Sequence, residues 1–199
     1  MTVPAAIEAQ LARRSVASLT EPGPSDEQLA LILRAAVTVP DHGNLRPWRF
    51  VVVRGEAREA FGDALADAAA EALGDAADRP DKIRGKAFVA PALIVLIASP
   101  KPSPKVPASE QRASAACTGY AIALAADALG LGAVWKTAPF LEGTRLTALL
   151  DLQPGEEVLG WVNLGHRLRD AQTGLPRPEV AAVAAELGLD GTLQPLPTA

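Results

Sequence analysis

The sequence predicts an α+β or mixed α/β domain in which helices pack on one central sheet. Three observations carry that expectation. Residues 50–53 (FVVV) and 92–98 (ALIVLIA) are short, continuous, β-branched apolar runs, the pattern of strands buried on both faces. Ala-rich stretches with helical apolar spacing lie between and after them. The glycines at 130–133 (GLGA) do not form a G-x-G-x-x-G loop behind a strand, which argues against a doubly wound dinucleotide fold.

Residues 4–14 read as a first helix ending at Arg13 and Arg14. Ser25, with Gln28 three positions on, forms a capping-box signature for a second helix. Leu29, Ile32, Leu33, Ala36 and Val37 supply its apolar stripe, and Pro40 stops it. Residues 50–53 form a strand and 56–73 a helix. Residues 75–82 make a polar break before a short helix, and 92–98 a second strand. Residues 99–107 hold four prolines, so they form neither a helix nor a central strand. An ordered loop of that kind is often functional. Ser109 is placed as the cap of a long helix through Leu129, closed by Gly130. A short extended segment at 132–140, a brief helix at 144–150 and a turn and third strand at 153–165 follow. The tail is expected to carry a short Ala-rich helix at 178–187. No repeat or linker divides the chain, so residues 1–199 are expected to form one domain.

Composition narrows the function. Hydrophobic residues make up 49% of the 199 residues, ample for a core. The net charge of −4 offers no bulk attraction to nucleic acid or to anionic membrane. The longest apolar run, at 88–98, falls short of the ~20 residues needed to span a bilayer. One cysteine, Cys117, excludes an internal disulfide, and its Ala-rich setting reads as a buried structural thiol. The N-terminus lacks a basic region followed by an apolar one. Together these features predict a soluble, reduced, cytoplasmic protein. His42 and His166 have no ligand-spaced partners, so no metal site is expected. No G-x-S-x-G occurs, and Cys117 has no basic neighbour to activate it.

Four polar clusters remain, each open to an ordinary reading. Arg13, Arg14 and Ser15 can grip a phosphate, or simply suit the C-terminus of a helix. His42, Asn44 and Arg46 can belong to a site or to a surface turn. Trp135, Lys136 and Thr137 can line a pocket, or divide between core and solvent. His166 and Arg167 follow a strand end.

In order, RRSVASL, VPDHGNLRPWRFVVV, KVPASEQ, GLGAVWKTAPF and VNLGHR resemble the nitroreductase family, and most of all its short branch. The resemblance spans roughly residues 8 to 168. It implies a nitroreductase-like fold, a central, mainly antiparallel sheet flanked by helices, in an intertwined homodimer. It implies an FMN flavoenzyme that uses NAD(P)H to reduce nitroaromatic, quinone or related acceptors by a ping-pong mechanism. A flavin-dependent dehydrogenase or oxidase on this scaffold, or a flavin-binding protein without turnover, are the alternatives. Carried over, Arg13, Arg14 and Ser15 bind the FMN phosphate and ribityl end, and Arg167 reaches the phosphate. His42, with Asn44, lies against the flavin, and Trp135, Lys136 and Thr137 line its ring. Each FMN sits at the subunit interface, so some of these residues serve the partner's flavin. Such an enzyme needs no protein nucleophile, because the cofactor carries the hydride chemistry. Residues 99–108 and 139–143 are the expected pocket walls.

Three positions depart from the family pattern. Ala17 stands where many relatives have a base, Arg46 where glutamine is usual, and Thr38 where short-branch relatives can carry arginine. Lys136 or Arg46 is then the expected cation for the flavin's N1–O2 edge.

Overall fold

A computed structural model describes residues 2–74, 79–168, 176–189 and 191–196. Its centre is an antiparallel sheet of five strands, β1 (Leu19–Thr20), β2 (Trp48–Arg54), β3 (Ala92–Ala98), β4 (Gly132–Lys136) and β5 (Glu157–Arg167). The strand order is β2-β3-β5, and β1 and β4 share the far edge of β5. Helix α1 spans Ala5–Ala12, α2 Asp26–Ala36, α3 Ala57–Leu73, α4 Pro80–Arg84, α5 Ala108–Ala128 and α6 Thr144–Leu149. A small hairpin of β6 (Ala185–Leu187) and β7 (Leu193–Pro195) ends the described chain.

Alternation along β3 builds two cores. Ile94 and Leu96 face α2 and α5, where Leu29, Ile32 and Ile122 meet them. Leu93, Val95 and Ile97 face the opposite layer, formed by Phe61 and Leu65 of α3, Ile83 of α4 and Leu146 of α6. Both faces of β3 are therefore sealed, which is why its sequence is continuously apolar. Trp161 of β5 meets the Phe61 ring edge-on at 5.8 Å.

Local signals explain most boundaries. The Ser25 side chain accepts the Gln28 N–H, and the Gln28 side chain returns to the Ser25 N–H, closing the capping box. Helix α5 ends in a Schellman motif: Leu131 N–H donates to the Ala126 carbonyl and Gly130 N–H to that of Asp127, with Gly130 at φ +78°.

Several expectations are corrected. Pro107, not Ser109, caps α5, because its fixed φ and missing N–H suit a helix start. Strand β1 is too short to show a periodic pattern and was not anticipated. Cys117 is exposed, because the sheet-facing side of α5 is supplied by Ala115, Thr118, Gly119 and Ile122. The tail forms a 3-10 turn at Val180–Ala182 and then β6 rather than a helix over 178–187. No residue of that turn or strand is buried, and a short helix without a packed face is marginal. Of the polar break at 75–82, residues 75–78 lie outside the described residues.

One ion pair ties the strand ends together. Arg49 of β2 donates to both carboxylate oxygens of Glu156, at 2.6 Å from Nη2, and to the carbonyls of Leu150 and Asp151. The Arg49 hydrogen bond is the main reason that the Glu156 carboxyl is held at about 2, against an ordinary 4.5. This stability is present above pH 4.5 and is lost as the pH falls towards 2. Arg49→Met is expected to cost roughly 2–3 kcal/mol at pH 7, because it strands the buried Glu156 charge. Urea titrations at pH 7 and pH 3 check this: the gap between wild type and variant should narrow in acid.

Candidate functional site

The structure brings the first and last basic clusters to one end of the sheet. Strand β1 pairs with the end of β5, aligning Leu19 with Arg167. The Val16 N–H donates to the Ala133 carbonyl at 2.9 Å. The Arg13-Arg14-Ser15 segment therefore lies beside the start of β4, next to the end of β5. At the other end of β4, Lys136 and Thr137 are exposed. Five residues of strand separate the two ends by about 14 Å.

Arg13 is the distinctive member. Its guanidinium lies 5.9 Å from the Tyr120 ring centroid of α5, in cation–π range. Its Nε–H is buried and has no hydrogen-bond partner among the described residues. A buried donor left unmade costs about 1–3 kcal/mol, which an anionic ligand would recover. Arg14 is differently occupied: its Nη1 donates to the carbonyls of Leu11 (2.7 Å), Arg13 and Ala12, closing the C-terminus of α1. Arg167 donates to Asp127 at 2.8 Å and to the Leu131 carbonyl. Ser15 is exposed.

Arg177 was not anticipated. Its guanidinium donates to the Arg13 carbonyl at 2.6 Å, bringing a further cation from the tail to the same cluster. The sequence carries no spacing signal for it, since the chain returns from a distance. Tyr120 had a signal, as the only tyrosine in the chain, set in an Ala-rich helix.

Trp135 divides as its chemistry directs. Its indole N–H donates to the Leu159 carbonyl at 3.2 Å. Its ring lies against α5 at Gly119, where a Cβ would fall 2.8 Å from the ring carbons. Gly119 thus lets β4 and α5 approach closely, and Lys136 and Thr137 project beyond that contact.

The His42 turn is a separate construction. Asp41 accepts the N–H groups of Leu45 (3.1 Å) and Arg46 (2.7 Å). This clamp holds Asn44 at φ +54° and Arg46 at φ +50°, conformations costly for non-glycine residues. Val37, Val39, Asp41, Asn44, Arg46 and Trp48 line a cleft of about 470 Å³. His42 points instead to α5, where its Nδ1 lies 2.7 Å from Glu110. Asp41→Ala is expected to destabilise the domain by about 1–2 kcal/mol by releasing the clamp. Urea unfolding measures that loss, and proteolysis should show earlier cleavage near residue 44.

The two segments expected as pocket walls lie at different places. In the 99–107 loop, buried Gln111 accepts the Lys101 N–H (2.7 Å) and donates to the Lys101 and Val106 carbonyls. The Val106 side chain packs against the His42 turn at Gly43. Residues 139–143 line a cleft of about 460 Å³ with Ala68, Glu71 and Ala72 of α3. Among the described residues, no three His, Cys, Asp or Glu side chains form a group able to hold a metal, and no helix is long and apolar enough to cross a membrane.

Comparison with known proteins gives a consistent result. Residues 11–166 match the family model described as the Nitroreductase family. The chain is 36% identical over 174 residues to YdjA of Escherichia coli K12, covering 87% of this chain and 94% of that one; YdjA is provisionally named an NAD(P)H nitroreductase. A nitroreductase-like family protein of Bacillus cereus shares the fold with a TM-score of 0.77 at 23% identity, over 92% of this chain and 95% of that one. A provisionally named nitroreductase of Desulfovibrio desulfuricans, crystallised in complex with FMN, has a TM-score of 0.66 at 26% identity, over 93% and 98%. With a family match across most of its length and a relative above one-third identity, this chain belongs to the nitroreductase family.

Proposed function

We propose that the chain is an FMN-dependent oxidoreductase. It takes electrons from NAD(P)H and passes them to nitroaromatic, quinone or related acceptors in ping-pong turnover. The observation that carries this reading is the arginine cluster beside β4, with the Arg13 Nε–H buried and unpartnered. A phosphate dianion suits it: Arg13 supplies its unspent Nε–H, and Arg14, Arg167 and Arg177 add positive charge nearby. The donor set therefore fits FMN.

Arg13, Arg14 and Ser15 would hold the phosphate and ribityl end, with Arg167 beside them. Trp135, Lys136 and Thr137 would line the ring, with Lys136 or Arg46 supplying positive charge at its N1–O2 edge. Bound FMN would supply the hydride chemistry that no side chain here provides.

The separation of the two clusters favours a homodimer with FMN at the interface. His42 meets α5 at Glu110 and Arg13 meets it at Tyr120, about 15 Å apart along the helix. In a dimer, the His42 and Asn44 turn would serve the partner's flavin. Exposed apolar side chains point the same way: Leu11 on α1, and Val183, Leu187 and Leu193 in the tail, each more than 60% exposed. A two-stranded hairpin with no buried residue needs a surface to cover it.

The test is direct. Purified protein should be yellow and release FMN on denaturation. Stopped-flow mixing should bleach the flavin with NADH or NADPH, and sedimentation should give a dimer. Protein that takes up no FMN on reconstitution would overturn the reading.

A further inference from the structure

His42 and Glu110 lie far apart in sequence and meet at 2.7 Å, Nδ1 to Oε1. Their side chains are 57% and 46% exposed, so as an ion pair they contribute little to stability. Both are nonetheless presented on braced backbone. Asp41 clamps the His42 turn, and Val106 packs against Gly43 at its centre. Glu110 sits in the first turn of α5, behind a loop clasped by Gln111.

The surrounding charges leave Glu110 as the acid that orients the ring. On the same turn, Asp41 is occupied by two backbone N–H groups, and Arg46 is the local cation. From the 99–107 loop come Lys105 and Lys101, the latter with its Nζ on Ser99 Oγ. From α5 comes Arg112, which is engaged by Glu157. With Nδ1–H donated to Glu110, Nε2 is the ring position left to act.

We propose that His42 is the proton donor to the electron acceptor, and that Glu110 is the positioning residue that fixes its ring with Nε2 free. The inference rests on the FMN-dependent reductase reading and deepens it. For a quinone, two-electron reduction consumes one hydride equivalent and one proton. With FMN bound, the hydride equivalent drawn from NAD(P)H would form one new O–H bond at a carbonyl oxygen. As the quinone π system rearranges, the second carbonyl oxygen takes the Nε2 proton of the imidazolium, forming the other O–H bond. The product is the hydroquinone, and the neutral imidazole regains a proton from water.

The test uses the FMN-loaded wild type, His42→Gln and Glu110→Ala, with the two half-reactions separated by stopped flow and a benzoquinone as acceptor. In FMN-saturated His42→Gln, reoxidation by the quinone should slow roughly 100-fold, far more than any change in reduction by NAD(P)H. The wild-type reoxidation rate should fall as the pH rises, and that dependence should vanish in His42→Gln. In Glu110→Ala, ¹⁵N NMR of the ring should show a change from the Nδ1–H to the Nε2–H tautomer, a readout that needs no turnover. Reoxidation of Glu110→Ala should slow about tenfold. Unchanged reoxidation in His42→Gln, a persistent pH dependence without the histidine, or an unchanged tautomer in Glu110→Ala would overturn the inference alone. Wild-type protein that holds no FMN would overturn the reductase reading, and this inference with it.

Discussion

Arg13→Ala should weaken FMN binding about 100-fold, as expected for loss of a charge-assisted, partly buried phosphate contact worth about 3 kcal/mol. The reason lies in how Arg13 is held. Its backbone leaves α1 in an extended conformation, its guanidinium lies over Tyr120, and its Nε–H has no partner of its own. The side chain is thus ordered before any ligand arrives, and one donor is unspent. Arg13→Lys should recover only part of the loss, because an ammonium cannot reproduce the planar fork over the ring. Titration of the protein into FMN, followed by flavin fluorescence, measures the effect. Folding stability should change by less than about 1 kcal/mol, since Arg13 makes no ion pair among the described residues. An unchanged FMN affinity would remove Arg13 from the site.

Gly160→Ala should be the most damaging small substitution, costing about 3–4 kcal/mol out of the ~5–15 kcal/mol typical of a whole domain. Gly160 adopts φ +117° in the middle of β5, where β3 and β5 shift register between Leu96 and Ile97. A Cβ there would collide with the Lys136 carbonyl and lie 2.9 Å from the Trp135 indole nitrogen. The end of β4 would have to move, taking Lys136 and Thr137 with it. The loss should therefore appear twice, as a lower urea midpoint and as weaker FMN binding. Gly155→Ala is the control. It has φ +86° but open space around its Cβ, so it should cost only about 1 kcal/mol and leave FMN binding unchanged.

Much of the fold was legible in the sequence, and the reasons are local. The runs at 50–53 and 92–98 are β-branched and continuous because both faces of the sheet are covered. The capping box at Ser25 and the glycine after α5 mark their helix boundaries by backbone hydrogen bonding within a few residues. Where long-range packing decides, the local signals failed. Strand β1 exists because the end of β5 offers unpaired backbone groups, not because Leu19 and Thr20 prefer to be extended. The tail lacks the predicted helix because no apolar surface of the described body receives it.

The site divides in the same way. The order of Arg13-Arg14-Ser15, His42, Trp135-Lys136-Thr137 and Arg167 was enough to indicate the family. Residue types could not say which guanidinium has spare donors. That depended on Asp127 engaging Arg167, on the carbonyls of α1 engaging Arg14, and on Arg177 returning from the tail to the Arg13 carbonyl. Nor could they pair His42 with Glu110, since that contact depends on how α5 and the Pro-rich loop pack against the turn.

By itself, the sequence determined most of the element types, the packing of helices on one central sheet, and the family. These follow from periodicity and short motifs, which act over one or two turns of chain. Only the tertiary structure decided which charges are neutralised, which remain available to a ligand, and which backbone positions are strained. Those properties belong to pairs of residues brought together by the sheet, and their energies depend on burial and distance that no local pattern encodes.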